Sequence, residues 1–278
     1  MSLRAFALLL LLPSLVAAET QPAPSELSRL LGGDDAGFEK ALSPRRFEFP
    51  NDHGPHPGFR NEWWYVTGNL DATDGRRFGY ELTIFRFSLT PTQVASDSAW
   101  RSSQVYIAHL AVTDGDGDRF FVSQRYSRGA LGLAGATSDP LRVWIDDWSI
   151  ADSRVAGDWR LRAHGDDFGI DVSLSPLKAP VLNGEAGLSQ KSAEPGNASY
   201  YYSITRMKSE GRLNIDGQDI EVSGLSWLDR EWSTSALAPD QIGWDWFALQ
   251  LSDGSDLMFY QLRGRDGSQD PMSAGTLV

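Results

Sequence analysis

The chain has 278 residues, a net charge of −12 and no cysteine. That charge argues against nucleic acid or an anionic membrane surface as a partner, since basic patches hold both, and the missing cysteine removes disulfides, zinc–thiolate sites and thiol nucleophiles. A hydrophobic fraction of 41% suffices for a core, and ten tryptophans, thirteen phenylalanines and eight tyrosines suit a β-sheet interior or an apolar pocket.

Residues 1–18 read as a secretory signal. Arg4 supplies the positive end, and residues 5–12 form an apolar run too short to cross a bilayer as a mature helix. Val16, Ala17 and Ala18 give the small residues of a cleavage site. The mature chain is expected to be secreted, into a periplasm, where a protein without cysteine folds without oxidative help. Residues 19–45 read as a linker with short helices: Ser25 caps one or two turns before Gly32 and Gly33, and a second short helix covers residues 34–42.

Strands follow. "EWWYVTGNL" and "RFGYELTIFRFSL" flank "DATDG", a hairpin signal. "SQVYIAHLAVTD" and "RFFVSQRY" flank "GDG", and "RVWIDDWSI", "DWRLRAH" and "FGIDVSL" continue with turns at Gly157 and Gly165. Short strands at regular spacing, with no long amphipathic helix, predict a mainly β antiparallel meander closing into a barrel or sandwich. An N-terminal β-barrel domain is assigned to residues 46–195.

Residues 175–199 are rich in Pro, Gly and Ser, as in a domain linker or a long connection over a pocket. Strands resume with "YYYSITR", "GRLNI", "DIEVSG", "GWDWFALQL" and "DLMFYQLR". These last two repeat the first hairpin: Trp64-Tyr65, Asp74-Gly75 and Tyr80-Glu81-Leu82 find counterparts in Trp246-Phe247, Asp253-Gly254 and Tyr260-Gln261-Leu262. The preferred reading is a duplicated domain, its second copy (residues 196–278) partial.

Specific catalytic motifs are missing. "DGDGD" at residues 114–118 resembles a calcium loop, but Arg119 and Arg125 stand where that loop needs Gly and Glu. His53 and His56 lie three apart in a Pro/Gly loop without a third ligand at a telling spacing, so a structural or pocket-lining role is expected and no metal is assigned. Alternation puts Glu62 and Trp64 on one face of their strand, Trp63 and Tyr65 on the other. Glu62 beside an apolar wall is either a proton donor with a raised pKa or half of a buried ion pair with Arg60 or Arg86. Glu62, Glu81, Arg86 and His109 fall on neighbouring strands and are candidates for a shared inward network. In "SWLDREW", Asp229, Arg230 and Glu231 stand between Trp227 and Trp232; they either line a ligand entrance or cement a loop onto the barrel. Glu62 and Asp229 are the candidate acids. Trp63, Trp64, Tyr65, Arg86, His109, Trp227, Arg230, Glu231, Trp232, Trp244 and Trp246 are the candidate ligand contacts.

"FPNDHGPHPGFRNEWWYVTGNL", "GRRFGYELTIFRFSL", "YIAHLAVTD" and "WLDREWSTSAL" with "GWDWFALQL" resemble the hydroxyneurosporene synthase/AttH-like family, to which carotenoid 1,2-hydratases belong. The resemblance runs from about Arg46 to the end. It implies two tandem lipocalin-like (calycin-type) antiparallel β-barrels and an apolar pocket. In the enzymes of the family it implies hydration of a polyene without cofactor. The chain departs from the hydratases in lacking a histidine after His164, where they carry a Tyr-His-Asp-type motif. A secreted protein binding a hydrophobic small molecule, handed over by a membrane transporter component, is therefore expected first. A cofactor-independent hydratase or isomerase using Glu62 or Asp229 is the alternative.

Overall fold

The computed structural model describes residues 35–92, 96–235 and 237–278. The signal segment and the first linker helix lie outside these residues. The short helix expected over residues 34–42 is not formed from residue 35 onward. Gly37 takes a positive φ of 83°, which a helix does not accommodate. The segment instead runs along the barrel, with the Glu39 amide donating to the Gly58 carbonyl and Ala41 buried.

Among the described residues, sixteen strands carry the rest. After a 3-10 turn at Asn51–His53 come β1 (Asn61–Ala72), β2 (Arg77–Ser88), β3 (Gln104–Asp114), β4 (Arg119–Arg128), β5 (Ala134–Ser138), β6 (Leu141–Ile145), β7 (Trp148–Asp152), β8 (Trp159–His164) and β9 (Phe168–Pro176). Then follow β10 (Val181–Leu182), β11 (Leu188–Gln190), β12 (Ala198–Ile215), β13 (Gln218–Ser233), β14 (Gln241–Gln250), β15 (Asp256–Gly264) and β16 (Ala274–Leu277). Eleven strands form one antiparallel path, β4-β3-β2-β1-β13-β12-β9-β8-β7-β6-β5, which curls into a nearly closed barrel. The last three strands form a separate small sheet in the order β14-β15-β16.

Three elements differ from the sequence reading. "RVWIDDWSI" is two strands, because Asp146 turns the chain at a φ of 53°. "YYYSITR" and "GRLNI" are one strand with a bulge between Ile204 and Met207. "DIEVSG" and "WLDREW" are likewise one strand, β13, so the Asp-Arg-Glu run lies mid-strand and not in a loop. β12 and β13, assigned to the second domain, sit between β1 and β9 and complete the first barrel. Burial on both faces explains how a strand can carry three consecutive charges: each charge finds a partner on its own side.

Both hairpins of the sequence repeat form, but in different registers. Tyr80 lies opposite Gly68, whereas Tyr260 lies opposite Trp246. Trp64 and Trp246 therefore do not occupy equivalent places.

Along β1, β2 and β13 the inward positions are Glu62, Trp64, Val66 and Leu70; Tyr80, Leu82, Ile84 and Arg86; and Leu228, Arg230 and Trp232, all buried. They fill the barrel together with residues such as Leu110, Val143, Trp148 and Leu161. The outward positions from Trp63 to Thr67, Glu81 to Phe87 and Trp227 to Glu231 are also half-buried or buried, because the small sheet covers this part of the wall.

Candidate functional site

Alternation divides the candidate residues into two groups back to back across one sheet. The inward group is a charge cluster. Glu62 lies opposite Arg86 on one side and Trp232 on the other. Its carboxylate bridges the guanidiniums of Arg86 and Arg230, all three with fully buried side chains. Arg230 also stacks on Trp64 at 3.9 Å from the ring centroid. The His56 ring lies 3.7 Å above Trp232, nearly parallel, and its Nε2 is 3.0 Å from Asp52. His53 meets the Tyr202 hydroxyl at 2.6 Å, and burial pulls its pKa down to about 4. Burial alone would push the Glu62 carboxyl up, but Arg86 and then Arg230, helped by His56, hold it well below the ordinary carboxylate range. A carboxylate so held stays ionised near neutral pH, which does not fit the proton-donor role left open by the sequence. Glu62 and Arg86 form the buried pair that was its alternative, with Arg230 as a third member. Trp64, Arg86, Arg230 and Trp232 belong to this interior and do not line the cavity described next.

The outward group lines a cavity of about 410 Å³ between the barrel wall and the small sheet. From β1 come Trp63 and Tyr65; from β2, Glu81, Thr83 and Phe85; from β3, His109. β13 supplies Asp229 and Glu231, β12 supplies Tyr201, and Lys191 enters just after β11. Trp244, Trp246, Tyr260 and Leu262 of the small sheet close it over. Trp227, outward on β13, packs edge-on to Trp246 at 6.3 Å. The network expected among Glu62, Glu81, Arg86 and His109 is thus split: Glu62 and Arg86 point in, Glu81 and His109 point out.

The small sheet is fastened at its hairpin end by Asp256, fully buried. It pairs with Arg206 at 2.6 Å and Lys178 at 2.7 Å and accepts from the Thr205 hydroxyl. Gln241 fastens the other end by donating to the Lys191 carbonyl. The long connection over residues 175–199 therefore contributes Lys191 to the cavity wall and braces it through Ser189, whose hydroxyl is 3.1 Å from that of Tyr260.

Inside the cavity, Asp229 is 4% exposed. It accepts from the Tyr201 hydroxyl at 2.7 Å, the Ser203 hydroxyl at 2.5 Å and the Trp227 indole N–H at 2.7 Å. Desolvation outweighs these three donors and, with Glu231 nearby, raises its pKa to about 6. Burial likewise raises Glu81, partly offset by the Thr83 hydroxyl, and lowers His109. Glu231 is paired with Lys191 at 3.0 Å and receives the Ser199 hydroxyl. Burial works against the Lys191 ammonium, yet Glu231 and its other neighbours keep its pKa above the ordinary value.

Glu81, Lys191, Tyr201 and Tyr260 are cavity residues that the sequence did not nominate as ligand contacts. Glu81 was accessible to alternation, since it stands on the opposite face from Arg86. Lys191 lies in a Pro/Gly/Ser-rich connection with no periodic signal at all.

A family model described as AttH-like matches residues 40–278. The crystal structure of a protein described as an AttH, from Nitrosomonas europaea, is 36% identical to this chain at a TM-score of 0.74, over 86% of this chain and 74% of that one. Kievitone hydratase from Nectria haematococca is 14% identical at a TM-score of 0.57, over 87% of this chain and 71% of that one. CghA, in complex with Sch210972, is 11% identical at 0.51, over 89% and 66%. At those two identities the likeness is one of fold alone. No curated protein matches the sequence.

Proposed function

The chain belongs to the AttH-like family, and from that premise we propose that it is a secreted protein whose outer cavity receives an apolar or amphipathic small molecule, of the lipid or terpenoid kind. The observation that supports this is the cavity wall. Trp63, Tyr65, Phe85, Trp244, Trp246 and Tyr260 surround a few polar groups, which is the usual make-up of a small-molecule site, and its volume falls within the roughly 300–1,000 Å³ such sites occupy. The lid is a three-stranded sheet held by side-chain contacts, which suits a site that must open to admit its ligand.

Mass spectrometry of lipids co-purifying with the protein, and quenching of tryptophan fluorescence by a fluorescent fatty acid, test the proposal. Trp63→Ala and Trp246→Ala are expected to weaken binding by at least about tenfold, in line with the energy of one buried aromatic contact. Trp64→Ala is expected instead to destabilise the fold. Unchanged binding in both cavity variants would overturn the assignment of the site.

One observation favours a second reading, a cofactor-independent hydratase or isomerase of a polyene. Burial raises the Asp229 pKa to about 6 in a cavity walled largely by aromatic rings, and a general acid works best with a pKa near the operating pH. Turnover of an acyclic polyene that disappears in Asp229→Asn, with apolar binding retained, would establish it.

A further inference from the structure

We infer that the polar end of the ligand is a cation, a protonated amine or quaternary ammonium group seated among Tyr65, Trp246, Glu81 and Asp229. The inference rests on the cavity being the binding site, and it names the chemistry that site selects.

The cavity already solvates one ammonium. Lys191 Nζ lies 4.3 Å from the centroid of the Tyr260 ring and 5.4 Å from that of Tyr201, with the Glu231 carboxylate 3.0 Å away. Aromatic faces and one carboxylate are therefore sufficient to hold a buried positive charge at this end of the cavity.

The other end repeats the ingredients without a resident cation. Tyr65 on β1 stands directly opposite Asp229 on β13, and on its other side opposite Thr83, next to which Glu81 occupies the diagonal position on the same face. Diagonal neighbours on one face are about 7–8 Å apart, so both carboxylates stand beside Tyr65, close enough that the charge of each acts on its hydroxyl. Trp246 meets Tyr65 at 5.2 Å and 73°, and Trp227 meets Trp246 at 80°. Rings set nearly at right angles form the walls of a corner, the arrangement by which aromatic cages hold alkylammonium groups. Among the described residues, neither Glu81 nor Asp229 has a cation within ion-pair distance. Lys191 is committed to Glu231 and leaves no net positive charge to attract an anionic head.

An anionic head group fits this corner worse. A carboxylate would face Glu81, Asp229 and Glu231 with only the engaged Lys191 to offset them, and like charges placed together in a desolvated site are strongly unfavourable.

The test compares three ligands with one ten-carbon chain: decyltrimethylammonium, decan-1-ol and decanoate, each below its micellar concentration, by calorimetry and tryptophan fluorescence on the full chain. The ammonium is expected to bind at least about tenfold more tightly than the alcohol, with decanoate weakest. Glu81→Gln and Asp229→Asn are each expected to remove most of that preference, and decanol binding on the same variants reports whether the cavity is intact. If the buried Asp229 tolerates no change, Glu81→Gln carries the test, because that side chain is only half-buried. Equal binding of the alcohol, tighter binding of decanoate, or an unchanged preference in Glu81→Gln would overturn the cation and leave the apolar site standing. Failure of all three ligands to bind would remove the site and the cation with it.

Discussion

Glu62 and Asp229 are buried carboxylates on paired strands, β1 and β13, yet they are set to opposite tasks by what surrounds them. Glu62 points inward to two guanidiniums; Asp229 points outward to three neutral donors and a cavity. Charge partners hold one ionised, whereas desolvation raises the pKa of the other to about 6. Glu62→Gln removes the anion that compensates Arg86 and Arg230, and breaking a buried pair in this way costs about 3–5 kcal/mol. A marked fall in Tm, without a specific change in ligand preference, is the expected result. Because the folded pKa of Glu62 lies below its unfolded value near 4.5, its contribution is complete above that value and fades as pH falls through the folded one. The wild-type advantage over Glu62→Gln, measured by urea unfolding, is therefore expected to be constant from pH 6 to 8 and to shrink in acid. An advantage that grew in acid would contradict the ion cluster. The sequence discloses the alternation that separates Trp63 from Trp64. It does not disclose which face meets the cavity, because both faces of β1 are apolar and covered, one by the barrel and one by a sheet that begins some 180 residues later.

At the scale of elements, hairpins and turns were legible because Asp-Gly and Gly-rich signals are local. Pairing order was not, since β13 comes to lie beside β1 only through contacts distant in sequence. The small sheet shows what such contacts decide. Its own three strands bury only a modest cluster, Met258, Tyr260 and Leu262 against Tyr201 and Trp227, and a sheet of this size needs a partner surface to be stable. Asp256 ties it to Arg206, Lys178 and Thr205 at once. Asp256→Ala leaves two cations without their anion at the hairpin end of the small sheet, a loss of about 3 kcal/mol for charged hydrogen bonds of this kind. Hydrogen exchange is expected to speed up in β14 and β15 while β1, β2 and β13 stay protected, and ligand affinity is expected to fall. Uniform acceleration across both sheets would show that lid and barrel unfold as one unit.

For the whole molecule, the question is how an open path of eleven strands behaves as a barrel. β4 and β5 end the path without pairing to each other, so side chains bridge the seam. Phe121 of β4 stacks on Phe168 of β9 at 5.4 Å, and Arg119 pairs with Asp216 at 2.7 Å. Arg125 reaches Asp147 in the β6–β7 turn, which also holds His164 Nε2 at 2.7 Å, while His164 Nδ1 lies 3.1 Å from the Gly165 carbonyl. Regular strand spacing announces a barrel, but a seam closed by side chains leaves no pattern in the chain. The hydrogen bond to Asp147 is the main cause that raises the His164 pKa above 6.5. A raised pKa means that the stabilisation is fully present below the unfolded value and is lost as pH rises through the folded one. His164 is half exposed, so solvent screening limits the effect to about 0.5 kcal/mol. Wild type should accordingly exceed His164→Gln in urea stability at pH 5.5 and equal it at pH 8.5, with no change in ligand binding, because His164 and its partners do not line the cavity. A difference that persists at pH 8.5 would mean that the imidazole packs the seam instead of charging it.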